Sequence, residues 1–210
     1  MTNLLKSYAE TGDVANTQVG EDFLSPILNF QQKAKATWKT ITFKALWENY
    51  PSSTVEHLDT NNNDIYKNHC AIHLSESLFQ SGIEFIGDCS KYSCPNGRST
   101  HILLATSLSV KINVQTNGIK NILRKDLTGA TYEAYVKDKT GIIYFENYWK
   151  RPQETDEKRS GDHIDLWNKN ELASNGVLKT WLRQAFPSVA ERLGSSDLTK
   201  SKNVIFWEIK

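Results

Sequence analysis

Several things are scarce in this sequence of 210 residues: it has three cysteines, five prolines and one methionine. Neither sign of charge dominates, since 25 lysines and arginines stand against 24 aspartates and glutamates, a net charge of +1. With the basic residues spread along the chain, that balance excludes the electrostatic footprint of a nucleic-acid binder. No apolar run approaches the ~20 residues of a membrane-spanning helix. The opening "MTNLLKSYAETGD" has no apolar signal-peptide core. The expectation is therefore a protein made in the cytoplasm, whose action elsewhere needs a route other than general secretion. The odd cysteine count leaves one pair and a lone thiol, or three thiols. No disulfide is needed for folding, because a chain of this length buries roughly 70% of its unfolded surface.

What is present is an ordinary globular composition, 39% hydrophobic and 23% charged. Residues 1–37 are polar and weakly patterned, and read as an extension before a single domain over 38–210. In "TFKALWENYP" Phe43, Leu46 and Trp47 share helical spacing, and Pro51 ends that helix. A second helix is expected from Asn68 as N-cap to Gly82, with Ala71, Leu74 and Leu78 as its apolar face. A third is expected from about Thr100. The pattern then changes: "GIIYFENYW" (141–149), "HIDLW" (163–167) and "NVIFWEI" (203–209) carry the β-branched and aromatic residues of strands. The first two form a long-looped hairpin, and "GVLKTWLRQAF" (176–186) reads as a short helix. Helices first and strands after imply an α+β fold, with N-terminal helices packed on an antiparallel sheet.

The second helix places Cys70 at its start. A helix N-terminus carries about half a positive charge and unsatisfied N–H groups, and both favour thiolate over thiol. A nucleophile also needs a base oriented by a third group. Of the five histidines, His69 is adjacent and points elsewhere, and His73 reaches back awkwardly. His57 lies in a loop, and His101 opens another helix. His163 starts a strand, where an imidazole can stand on a rigid element. A helix-start cysteine facing a strand histidine is the papain-like arrangement. The bland alternatives are a small buried thiol and a strand histidine satisfied by a neighbour.

The ordered blocks "FKALWENYP", "NHCAIHLSESLFQSGIEF", "HILLATSL", "GIIYFENYWKR" and "GDHIDLWN" resemble type VI secretion amidase effector family 4 over about residues 38–170. The resemblance implies a papain-like cysteine hydrolase core. It implies an antibacterial toxin that hydrolyses the peptidoglycan stem peptide between D-glutamate and meso-diaminopimelate, delivered by a secretion system to the periplasm of a target bacterium. The nucleophile falls on Cys70 and the base on His163. The family's aspartate position holds Ser174 here, and this departure leaves Asn175, the favoured third residue, against Asp165 and Ser174. Trp47, Asn49, Tyr50, Asn147 and Trp149 could wall a groove for the stem peptide, against the simpler reading of both tryptophans as core.

The partners implied are the stem peptide, a cognate immunity protein and a component of the secretion apparatus, with no nucleic acid and no membrane. An oxidising periplasm makes a Cys89–Cys94 disulfide the expectation. The spacing of Cys70, His73, Cys89 and Cys94 fits structural zinc poorly, and no metal or cofactor is expected. His69 and His73, at i and i+4, read as surface histidines. The competing function class is an inactive relative that binds cell-wall peptides or proteins.

Overall fold

A computed structural model describes residues 37–38, 41–52, 58–64, 66, 68–83, 101–150, 153–174 and 197–210. The expected extension over 1–37, the helix over 176–186, the Cys89–Cys94 pair and Asn175 lie outside the described residues, Thr37 excepted.

The described helices are α1 (Phe43–Glu48), α2 (Cys70–Gln80), α3 (Ala105–Thr116) and α4 (Tyr132–Val136). The strands are β1 (Ile122–Leu127), β2 (Thr140–Trp149), β3 (Gly161–Asn168), β4 (Glu171–Leu172) and β5 (Asn203–Ile209). They form one antiparallel sheet in the order β1-β5-β2-β3-β4. This is the mixed architecture expected from helices first and strands after, with the β2–β3 hairpin in place.

Side chains alternate across the sheet, and each face has its own core. Ile142 and Tyr144 of β2, Ile164 and Leu166 of β3, and Trp207 and Ile209 of β5 pack under α2 and α3, together with Leu46 of α1. Ile143, Phe145, Trp167, Val204 and Phe206 point the other way and meet Tyr132 and Val136 of α4, Leu172, and Leu198 of a 3₁₀ helix. α1 opens on Thr42, whose hydroxyl accepts from the Ala45 N–H at 3.2 Å. It is tied to α2 by the Ser77 hydroxyl, which donates to the Leu46 carbonyl at 2.7 Å.

α2 buries Ala71, Leu74 and Leu78 as the spacing predicts, and also Ile72, Ser75 and Ser77. The buried stripe is wide because the helix packs against α1, α3 and β3 together. Gly82 closes it at φ +89°. The cap differs from expectation. His69, not Asn68, holds the N-cap position, and its side chain makes no capping bond because the imidazole is turned to Asp64. α3 begins at Ala105, several residues after Thr100, because 101–104 are not helical and Leu104 is extended (φ −112°, ψ 131°). β1 and α4 carry no clear sequence signal: "ILRKDL" is an edge strand with four consecutive exposed residues, and "YEAYV" is barely longer than one turn.

Candidate active site

β3 presents His163 and Asp165 two residues apart, on the same side as Trp167. Among the described residues its outer edge is open beyond Trp167 and Asn168, the two positions that pair with β4. An open edge leaves backbone N–H groups without strand partners, and the site uses two of them. The Ile164 N–H bonds the Cys70 sulfur, which arrives at this edge on the first residue of α2. The Leu166 N–H donates to Asp165 Oδ1 at 2.8 Å.

The His163 imidazole interacts with the Cys70 thiol. Its Nε2 lies 3.4 Å from Asp165 Oδ2, which leaves Nδ1 for the sulfur. The ring is half-enclosed by Phe145, its cross-strand partner, stacked at 6.4 Å, and by Tyr148 at 6.2 Å. Asp165 is fully buried. Its Oδ2 also accepts from the Ser174 N–H at 3.2 Å and the Ser174 hydroxyl at 2.5 Å. Three donors, the Leu166 N–H and the Ser174 N–H and hydroxyl, thus converge on this buried carboxylate where it faces the imidazole.

Burial alone would push the Cys70 thiol up, but the His163 imidazole, by hydrogen bond and charge, and the Ile164 N–H bring it below its ordinary value. Burial alone would likewise lower His163. The interactions with Asp165 and Cys70 outweigh it and raise the imidazole to about 9. The directions agree: the site favours a thiolate–imidazolium pair, an activated nucleophile beside its own proton donor. The first turn of α2 adds N–H groups left unspent by any side-chain cap.

The structure therefore brings Cys70, His163 and Asp165 together, with Ser174 behind the carboxylate. Asp165, two residues along β3 from His163, lies within reach of the imidazole, and Ser174 holds its carboxylate from behind. Of the proposed groove residues, Tyr50 alone is shown in electrostatic reach of the site, acted on by Asp165 and Cys70. Trp47 packs against the core beside Phe43, with ring centroids 5.7 Å apart. Asn49 ends α1 and donates to the Ser81 hydroxyl at 3.1 Å.

Asn147 sits in the bulge of β2 at φ +55°, its N–H donating to Asp162 Oδ1 at 2.8 Å. Trp149 is exposed rather than core, and lies so close over Gly161 that a Cβ there would fall 2.7 Å from its own. The histidine pair is not a surface feature. His69 Nε2 lies 2.5 Å from Asp64 Oδ2 with the imidazole mostly buried, and its ring stacks on His73 at 5.7 Å. The signal missed in the sequence was the backbone: nothing in "HIDLWN" announces that the Ile164 and Leu166 N–H groups face an open edge.

A thiol, an imidazole and a carboxylate in this order are the makings of a hydrolase that works through a covalent intermediate. Residues 66–207 match the family model for type VI secretion system (T6SS) amidase effector protein 4, Tae4, and the chain belongs to that family. It is thus an amidase effector of type VI secretion, an antibacterial enzyme acting on peptidoglycan. The match starts after "FKALWENYP" and runs on through most of β5, so it begins later and ends later than the blocks read from the sequence.

Among solved structures, the fold is similar to the type VI effector Tae4 from Enterobacter cloacae, at 20% identity and a TM-score of 0.51, covering 80% of this chain and 96% of that one. It is also similar to the Tae4–Tai4 effector–immunity complex from Enterobacter cloacae, at 18% identity and a TM-score of 0.50, covering 80% and 98%. No curated protein matches the sequence. Among the described residues no helix is long and apolar enough to cross a membrane.

Proposed function

We propose that this effector cleaves the peptidoglycan stem peptide between D-glutamate and meso-diaminopimelate, with Cys70 as nucleophile, His163 as acid and base, and Asp165 as the group that orients His163, in a papain-like core. One observation carries the reading: the Cys70 sulfur shares its environment with the His163 imidazole and the Ile164 N–H, while the other face of the imidazole meets a buried carboxylate. The Cys70 thiolate attacks the amide carbonyl carbon. The tetrahedral oxyanion is stabilised by N–H groups at the start of α2. The His163 imidazolium then gives its proton to the departing amine, and a thioester remains on Cys70. Neutral His163 takes a proton from water, whose oxygen attacks the thioester, and the thiolate and carboxylate product separate.

Asp165 is favoured over Asn175 because its carboxylate lies 3.4 Å from Nε2 and is itself held by Ser174 and Leu166. Ser174, at the family's aspartate position, then supports the orienting group through a hydrogen bond. Delivery to the periplasm of a target bacterium by its secretion apparatus fits the family. A cognate immunity protein is expected as partner, since a similar effector has been crystallised with one. Incubation with purified stem peptides, followed by fragment masses, tests the reading. Fragments ending at D-glutamate and beginning at meso-diaminopimelate support it, and an intact peptide refutes it.

A further inference from the structure

Tyr50 follows α1 directly. Its N–H bonds the Trp47 carbonyl at 3.3 Å, and its ring meets the edge of His73 at 5.9 Å. Its hydroxyl is hidden from water and, among the described residues, makes no hydrogen bond of ordinary geometry. A buried hydroxyl left so is costly, and rare enough to need a reason. The charged groups that act on it are the Asp165 carboxylate and the Cys70 sulfur. His163 Nε2 is in the same condition: it faces Asp165 at 3.4 Å without a bond of ordinary geometry. The Asp165 carboxylate thus acts on two buried donors, the Tyr50 hydroxyl and His163 Nε2. Hydrogen bonds of catalytic groups often tighten only when substrate is bound.

The need for Tyr50 lies in the charges. Asp165 holds the imidazolium, but its negative charge also opposes the thiolate. A neutral donor on the carboxylate weakens that opposition without removing the orienting group. We propose that Tyr50 is a positioning residue, whose hydroxyl donates to the Asp165 carboxylate and shields the Cys70 thiolate from its charge. This rests on the reading of Cys70 and His163 as the reacting pair. The titratable groups that meet Tyr50 are Cys70 and His73 from α2 and Asp165 from β3, and Cys70 and Asp165 are shared with His163. His73 in turn feels His69, which is paired with Asp64, and His101.

The test is the pH dependence of Cys70 alkylation by iodoacetamide, which needs no peptidoglycan. Its outcome is therefore separate from the identity of the scissile bond. Tyr50→Phe keeps the ring and removes the hydroxyl, and circular dichroism and thermal unfolding report whether it folds. The acid limb of alkylation, where the thiolate takes up its proton, should move to higher pH by about one unit, because a donor that favoured the charged forms is gone. The proposal also requires the shift to vanish when Tyr50→Phe is made in an Asp165→Asn background, since the hydroxyl acts through that carboxylate. An unmoved limb in the folded single variant overturns it. So does an equal shift in the Asp165→Asn background. Should the single variant not fold, a folded double variant whose limb lies above that of Asp165→Asn alone overturns it as well.

Discussion

Two regions of the sheet, the cluster under α4 and the β3 edge at the start of α2, solve the same packing problem differently. On the face toward α4, a cluster of Tyr132, Phe145, Trp167 and Phe206 is closed, and its polar atoms are spent: the Trp167 Nε1–H donates to the Val136 carbonyl at 2.9 Å, and the Tyr132 hydroxyl to Glu133 at 3.1 Å. Where the N-terminus of α2 meets the β3 edge, the Tyr50 hydroxyl and His163 Nε2 are buried with no bond of ordinary geometry. Native structures satisfy most buried polar atoms. In the α4 cluster bonding capacity is spent on packing, whereas beside the reacting groups two buried polar atoms stay unspent, as does Trp207 Nε1 in the core under α2.

The sharpest way to break this comparison is Cys70→Ala. Cleavage of stem peptide should fall by roughly 10⁴-fold or more, with thermal stability nearly unchanged, as assays of fragments and unfolding would show. The mirror experiment is Phe145→Ala. Removal of this fully buried ring should cost about 3–5 kcal/mol in a denaturant titration, and activity should fall through loss of folded protein and of the stacked support under His163. If Cys70→Ala unfolded the protein, or Phe145→Ala left stability intact, the division between the two regions would be wrong.

Next in size is Asp165→Asn, which should lower kcat by roughly 10²-fold and move the alkaline limb of the pH profile. In the native protein burial lowers His163, but Asp165 and Cys70 raise it to about 9, above its ordinary 6.5. Protonation of His163 therefore stabilises the folded protein fully below 6.5, and that contribution is lost as pH rises through about 9. Cys70 is lowered, so its thiolate contributes above the ordinary thiol range, and the contribution is lost as pH falls through the lowered value. Activity needs both charged forms, which predicts a bell with its alkaline limb near 9. Asp165→Asn should bring that limb down. The smallest effect expected is for Ser174→Ala, about tenfold in kcat/KM, since one bond to a buried charge is lost while the Leu166 N–H remains. A loss as large as that of Asp165→Asn would assign the orienting role elsewhere.

How far these features were legible depends on where the information sits. β2, β3 and β5 announced themselves through runs such as "GIIYF" and "VIFW", because both faces of those strands are buried. α2 was legible by its 3.6-residue spacing, and Cys70 by its place at the helix start. β1 was not, because an edge strand with four consecutive exposed residues has no apolar signature. His163 could be chosen over four other histidines because it stood on a strand. The third group could not be chosen, because it depends on which carboxylate the fold buries. Asp165 and Ser174 are nine residues apart in sequence and 2.5 Å apart in the structure. The role of Tyr50 was equally hidden, since only the folded chain shows a tyrosine hydroxyl stranded beside a carboxylate.

The central claim, that Cys70 forms the covalent intermediate, is tested most directly by acid-quenching a reaction with stem peptide within the first turnover and mapping the modified residue by peptide mass spectrometry. The account predicts a thioester adduct carrying the D-glutamate end of the substrate on the peptide that contains Cys70. Efficient cleavage with Cys70 unmodified, or an adduct on any other residue, would contradict it.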